Sequence, residues 1–541
     1  MDEFQFKEFS KSLAGGQMYD STHYPPLYPL VLMPAFLFND FYFAMKVING
    51  LIAAVTVVAA YRLARLYLGC KMSLFCAALL CMLPFFVLYV PMIRAEPLFL
   101  LMTVLAAYFS LRPVNSRNFY WNGIVLGLMV GGMWLTRHVT IALVPGFALF
   151  WLYRYFIVEK DIVTNRQKVI CMAMILGAVL VAYMPWVLIQ ISNGHPLSMI
   201  LGMNVPVDKK MTFSPSWGSL VKWVGLYALY LALAVAPAVT GFLAGVGAWL
   251  SRKMKKSDGL FFAFTLMLVA FLVLIAARYS WQRADNYPAV VRVIGRYVVY
   301  GAPFLLLGFF IQMKRVGSGQ DGAGFFQTLL SLVLACGAVV LGYLVLIEMK
   351  VINIESSYMT GTNAAELLPF YSLRGYLLAV ALLANGLCAA YRLAARRECK
   401  GRPSKRLSTY LRRSTAFFLS LFFILSFANM AFRAIDSPNQ DKRENIVYEI
   451  RQLSVGREKI NFYLNPEGLT EEAAKTPVWY SYGMRFFDFK VARKIYGEDR
   501  LTGSNLIVLS AVPLEDKGER LILKKHLVLT GAEYYIYQRE E

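Results

Sequence analysis

Charge is scarce in this 541-residue sequence: Asp, Glu, Lys and Arg make up 16% of it, against 58% hydrophobic residues. A soluble chain needs more polar surface than that, so a water-soluble globular protein is excluded and a polytopic membrane protein is expected. Acidic residues are the scarcer sign, 33 against 55 Lys and Arg, leaving a formal net charge of +22. The bases fall in short stretches between apolar runs, the positive-inside pattern of membrane proteins, and no nucleic-acid partner is expected. Cysteine occurs seven times, never as Cys-x-x-Cys and never in the polar C-terminal region, so neither a disulfide framework nor a zinc site is supported. Only four histidines are present, and His23, His138 and His195 stand in no metal-ligand spacing. No metal and no cofactor is expected. A basic-then-apolar opening, the mark of a cleavable signal peptide, is missing too. Internal repeats and ionisable residues within the apolar runs are nearly absent, which argues against a transporter or lipid flippase.

What is present is apolar length. Runs of the roughly 17–25 residues that a helix needs to cross a bilayer lie near 41–63, 73–92, 96–112, 119–136, 138–155, 169–191, 219–250, 259–278, 295–313, 325–347, 374–394 and 414–433. These predict about twelve transmembrane helices. The 219–250 run is long enough to tilt or to contain an interfacial turn. Basic loops such as Arg62–Lys71, Arg154–Lys168, Arg252–Lys256 and Arg392–Arg413 belong in the cytoplasm. The alternate loops, near 92–96, 136–139, 192–218, 279–294 and 348–373, are poorer in bases and belong outside, the last as a flexible or substrate-covering loop. Three regions are expected: an external segment over 1–40, a transmembrane domain over 41–433, and a small extracytoplasmic α/β domain over 434–541. In the last, 440–454 has helical periodicity, while Ile460–Leu464, Asn505–Ser510 and Tyr534–Tyr537 read as strands. An external N-terminus is either translocated unaided or preceded by a helix absent from this chain, and the second is the favoured expectation because the acidic pair otherwise has no anchor.

Several constellations could carry chemistry. Asp2 and Glu3 open an amphipathic stretch whose Phe6, Phe9 and Leu13 share one helical face, as in an interfacial helix, with Asp2 as a cap and Gly15-Gly16 as its end. Taken alone, the pair reads more readily as solvated capping residues. Arg94-Ala95-Glu96-Pro97 makes a tight outer turn between two apolar runs. A carboxylate at a helix mouth there is costly unless hydrated or paired. A Glu96–Arg94 pair or compensation of the helix dipole would account for it without function. Arg278, Arg283, Arg292 and Arg296 accumulate on the outer side, against the charge trend. Guanidinium groups there suit a lipid-linked phosphate, or anionic head groups in general.

In order along the chain, these residues resemble the GT-C glycosyltransferases, family 39-like, in the branch of protein O-mannosyltransferases and bacterial lipid A aminoarabinose transferases. The matching residues are Asp2-Glu3, His23-Tyr24-Pro25-Pro26-Leu27-Tyr28-Pro29, Arg94-Ala95-Glu96-Pro97-Leu98, Gly127-Leu128, Trp134-Leu135-Thr136-Arg137 and Gly295-Arg296-Tyr297. The likeness is closest over residues 2–150. It implies a polyprenyl-phosphate-linked sugar as donor, a lipid, glycan or protein acceptor, and transfer on the periplasmic face of the plasma membrane. It also implies a first transmembrane helix ahead of the acidic pair. By the same likeness Asp2 is the general base, with Glu3 beside it and Glu96 as a second carboxylate. His23, Arg278, Arg296 and Tyr297 are candidates to cradle the donor phosphate. The aminoarabinose branch tends to have Arg at the fourth position of its acidic motif and Lys before Pro-Pro. Gln5 and Tyr24 stand there instead, which weighs against that sugar and leaves sugar and acceptor open. Two other readings remain: a polysaccharide assembly protein working through its C-terminal domain, and an O-antigen ligase or polymerase.

Overall fold

In a bilayer only a helix satisfies all its backbone groups within one segment, so long apolar runs become helices. The computed structural model describes residues 2–83, 86, 89–115, 117–202, 217–283, 292–320, 324–348, 353–354, 372–399, 405–435, 446, 449–450, 452–453, 459–465, 467, 490–495, 506–514, 521–529 and 532–539. The Asp2, Arg283 and Arg292 side chains lie outside the described residues, as do most of the expected helix over 440–454 and most of the loop over 348–373.

The helices begin with α1 (Asp2–Ala14), α2 (Leu27–Leu32), α3 (Phe41–Arg65), α4 (Cys70–Cys81), α5 (Glu96–Leu111) and α6 (Phe119–Trp134). Next come α7 (Thr140–Leu152), α8 (Asn165–Ser192), α9 (Leu197–Ile200), α10 (Trp217–Ala234) and α11 (Val239–Leu250). The series ends with α12 (Lys256–Arg283), α13 (Ala302–Gly317), α14 (Phe325–Gly342), α15 (Ser372–Cys399) and α16 (Lys405–Ile435). Eight helical segments among the described residues are long and apolar enough to cross a membrane. The expected spans at 73–92, 96–112, 119–136 and 295–313 form shorter helices, α4 with 12 residues and α5, α6 and α13 with 16 each. The reasons are local. Helix α4 ends at Cys81, ahead of Pro84 in the sequence. The stretch before α13 is taken up by 3-10 turns at Gly295–Tyr297 and Val299–Gly301. The long 219–250 run is two helices, broken at Ala236–Ala238 around Pro237.

The chain divides into two compact units, one of residues 12–431 and one of residues 1–11 with 432–541. In the larger, α6 packs on α8 through glycines four apart on one face. A Cβ at Gly123 would lie 2.5 Å from Cys171 Sγ, at Gly127 2.4 Å from the Ile175 carbonyl, and at Gly131 2.7 Å from Ala182 Cβ. Such small-residue stripes let membrane helices approach closely without a hydrophobic driving force. Helix α5 is fixed at its far end by Arg154, buried, whose Nη2 donates to the Arg112 carbonyl at 3.0 Å and whose Nε donates to Glu159 at 2.6 Å. Its Nη1 donates to the Ser110 carbonyl. The cation thus satisfies carbonyls that the helix end leaves open.

The C-terminal part of the smaller unit is a five-stranded sheet. Strand β1 (Arg292–Val293) pairs in parallel with β2 (Asn353–Ile354) elsewhere in the chain. The sheet itself holds β3 (Lys459–Leu464), β4 (Lys490–Ile495), β5 (Leu506–Ser510), β6 (Leu521–Leu529) and β7 (Ala532–Arg539), ordered β4-β3-β5-β7-β6. Strands β4, β3 and β5 are parallel, while β7 and β6 add antiparallel. Alternation fills both faces: Phe462, Leu464, Ile507, Leu509 and Ile536 on one, Tyr463, Leu506, Val508 and Tyr537 on the other. Three strands fall where the sequence predicts them. The other two, β4 and β6, are the edge strands, and both are rich in Lys. Exposed edges are kept polar to prevent pairing with other chains, which removes the apolar signal of a strand.

Candidate functional site

Glu96 opens α5, with Ala95 as the N-cap residue and Pro97 in the first turn, where its missing N–H costs nothing. Its side chain is 4% exposed, and the partner that holds it is Arg137. Arg137 Nη1 donates to Glu96 Oε1 at 2.5 Å and to the Tyr300 hydroxyl at 3.0 Å. Arg137 lies in the turn between α6 and α7, and Tyr300 in the turns before α13. Three distant segments therefore meet at one guanidinium. Tyr300 is fully buried, and its ring stands edge-on to Phe99 at 4.6 Å.

Arg94 and Arg296 also lie within Coulombic range of Glu96. Their guanidinium groups stand 5.7 Å from the Tyr89 ring and 5.6 Å from the Tyr297 ring, and Arg137 is 5.5 Å from Tyr297 as well. Three guanidinium groups bear on one carboxylate, an excess of positive charge in a partly buried place. Such a place favours an anion with several acceptor oxygens.

The Gly-Arg-Tyr turn has a steric cause. A Cβ on Gly295 would fall 2.0 Å from the Tyr230 hydroxyl, so only glycine lets the turn pack there. The preceding Ile294 N–H donates to the Tyr227 hydroxyl at 2.9 Å. On the other side, Tyr28 of the Pro-Pro-Leu-Tyr stretch donates to Asn49 Oδ1 at 3.0 Å, and Asn49 Nδ2 donates to the Met92 carbonyl at 2.5 Å, next to Arg94. Beside Arg137, burial pushes the His138 imidazole down to about 4, with His23 and Arg137 adding in the same direction. Its Nε2 is 2.6 Å from the Thr22 carbonyl. Among the described residues, no three His, Cys, Asp or Glu side chains gather as a metal set.

The profile of the dolichyl-phosphate-mannose-protein mannosyltransferase family matches residues 23–188, which carry Glu96 and Arg137. Among solved structures, ArnT from Cupriavidus metallidurans bound to undecaprenyl phosphate aligns over 99% of this chain and 93% of its own, at 12% identity and a TM-score of 0.51. The fold is GT-C. The apo form of the same ArnT aligns over the same shares at 13% identity, with a TM-score of 0.50. An Archaeoglobus fulgidus oligosaccharyltransferase aligns over 70% of this chain and 55% of its own at 12% identity, with a TM-score of 0.36 that bears no weight. No curated protein sequence matches.

Within this GT-C fold, Glu96, Arg296 and Tyr297 come together. Arg278 is exposed on α12, and its neighbour Tyr279 meets Tyr297 edge-on at 5.3 Å. His23 is exposed, its ring against Tyr24 at 4.8 Å. Asp2 and Glu3 occupy the first turn of α1, in the smaller unit. The alternative of a Glu96–Arg94 ion pair is replaced by Glu96–Arg137. Of the cluster, Arg137 enters the sequence reading only as the end of the Trp134-Leu135-Thr136-Arg137 motif, with no role given to it, and Tyr300 not at all. Arg137 does carry a usable signal, since it is a base on a turn that the charge pattern predicts to be outside, where bases are few.

Proposed function

We propose that this chain is a membrane glycosyltransferase that moves a sugar from a polyprenyl-phosphate-linked donor to a lipid, glycan or protein acceptor on the extracytoplasmic face. The observation that carries this reading is the buried Glu96–Arg137–Tyr300 contact with Arg94 and Arg296 around it. The undecaprenyl phosphate bound by the C. metallidurans ArnT, which shares the fold, supports a polyprenyl phosphate as the carrier.

In this reading Asp2 takes the proton from the acceptor hydroxyl or amine as that atom attacks the anomeric carbon. Glu3 stands beside it. The bond from the anomeric carbon to the phosphate oxygen breaks, and its electron pair leaves on the phosphate. A positioned base contributes roughly 10²–10⁴-fold. The departing lipid phosphate is a good leaving group that needs charge stabilisation more than a proton. Arg296, Tyr297, Arg278 and His23 supply that cradle, with Arg137 added by its contacts. Glu96 orients Arg137 and neutralises part of its charge. No nucleotide sugar takes part.

The test offers the purified chain mannosyl and aminoarabinosyl polyprenyl phosphates in parallel with nucleotide sugars, and measures release of free polyprenyl phosphate. Release from a lipid-linked donor alone is expected. Transfer from nucleotide sugars, or from no lipid-linked donor of a broad panel, overturns the reading.

A further inference from the structure

The segment Gln17–Leu27 bears His23, and contacts along its length fasten it. The Tyr19 ring lies 5.7 Å from Trp186, and Asp20 Oδ1 is 2.6 Å from His195 Nε2. His138 Nε2 lies 2.6 Å from the Thr22 carbonyl, and Leu27 N–H donates to the Leu135 carbonyl at 2.9 Å. The last two anchors are on the turn that also carries Arg137.

A carbonyl only accepts, so the ring proton of His138 is on Nε2 and that nitrogen is the donor. The other side of the residue is wedged against Gly202, where a Cβ would come within 2.6 Å of His138 Cβ. Gly202 ends a stretch that Tyr183 holds by donating to the Ile200 carbonyl at 2.7 Å. His138 thus joins the His23 segment to an outer loop, one residue after Arg137. The groups acting electrostatically on its ring are His23 and Arg137.

We propose that His138 is a positioning residue: by donating to the Thr22 carbonyl it holds the His23 segment against the Arg137 turn, so that the His23 imidazole and the Arg137 guanidinium converge on one lipid phosphate. This rests on the donor reading above. A side chain acting in this way is replaceable by one that keeps an N–H at similar reach, and not by one of similar bulk without it.

Two variants separate these cases. His138→Gln keeps an N–H donor, and His138→Leu keeps the bulk alone. Two readouts are taken on the full chain: amide hydrogen exchange over residues 17–27, and affinity for undecaprenyl phosphate as the probe. Loss of one anchoring hydrogen bond predicts faster exchange over 17–27 and about tenfold weaker binding in His138→Leu, with His138→Gln close to wild type in both. Wild-type binding and exchange in His138→Leu overturn the proposal. So does His138→Gln failing as badly as His138→Leu. If the wild type itself does not bind the probe, the donor reading falls and the cradle with it. Exchange over 17–27 then still decides separately whether the ring fastens the segment.

Discussion

Removing the carboxylate of Glu96 disturbs the site most directly. Glu96→Gln keeps the shape and removes the charge, leaving Arg137 to face a neutral amide oxygen and the Tyr300 hydroxyl. The pair is close, 2.5 Å, with side chains 4% and 15% exposed. At an effective dielectric near 20, charges that close attract by about 7 kcal/mol. Desolvation of both ions offsets much of that, and breaking such a pair from one side costs about 3–5 kcal/mol. The partial exposure of Arg137 places the expected cost near the lower end, about 3 kcal/mol. The assay is reversible unfolding of the detergent-solubilised chain on titration with SDS, run on Glu96→Gln, Arg137→Gln and the double variant. The double variant is expected to be less impaired than the sum of the singles, with a coupling of about 2 kcal/mol or more. Additive losses, within about 0.5 kcal/mol, would refute the argument that the two groups are one unit. Full stability of Glu96→Gln would refute it as well.

Further predictions follow from the same geometry. Gly127→Leu puts a side chain where the Ile175 carbonyl is 2.4 Å from a Cβ, so α6 and α8 must part; a loss of about 3 kcal/mol or failure to fold is expected in the same titration. Gly295→Ala collides with the buried Tyr230 ring, so transfer and stability are both expected to fall; Tyr230→Ala, which removes the hydroxyl and ring carbon 2.0 and 2.1 Å from that Cβ, is expected to restore part of the transfer. His138 is held neutral by burial, at about 4 against 6.5 for a free imidazole. Between those values the unfolded chain binds more protons than the folded one, so stability falls as pH drops from 6.5 to 4 and levels off below. The contribution is at most about 3 kcal/mol, and unfolding curves at pH 7, 5.5 and 4.5 should show it shrink in His138→Gln.

Much of the architecture is legible in the sequence because bilayer thickness sets a length that apolar runs must meet. The same rule misleads at 295–313, where the run is apolar apart from Arg296 and Gln312 but the need to seat Tyr230 against Gly295 turns its first residues into 3-10 structure. Edge strand β6 is hard to read for a different reason, since the exposed Lys524, Lys525 and His526 interrupt its apolar residues in mid-strand. Within the site, Glu96 stands out as a carboxylate in an apolar setting. Its partner does not, because Arg137 is 41 residues away and Tyr300 is 163 residues beyond that. Local spacing suggests Arg94, two residues from Glu96. The packing of α5 against the α6–α7 turn brings Arg137 instead.

The central claim is transfer from a lipid-phosphate sugar with Asp2 as base. It is tested most directly by single-turnover transfer in Asp2→Asn beside the wild type, at equal membrane insertion and equal affinity for undecaprenyl phosphate. The account predicts transfer slowed by about 10² or more with donor affinity unchanged. Wild-type turnover in Asp2→Asn would contradict it.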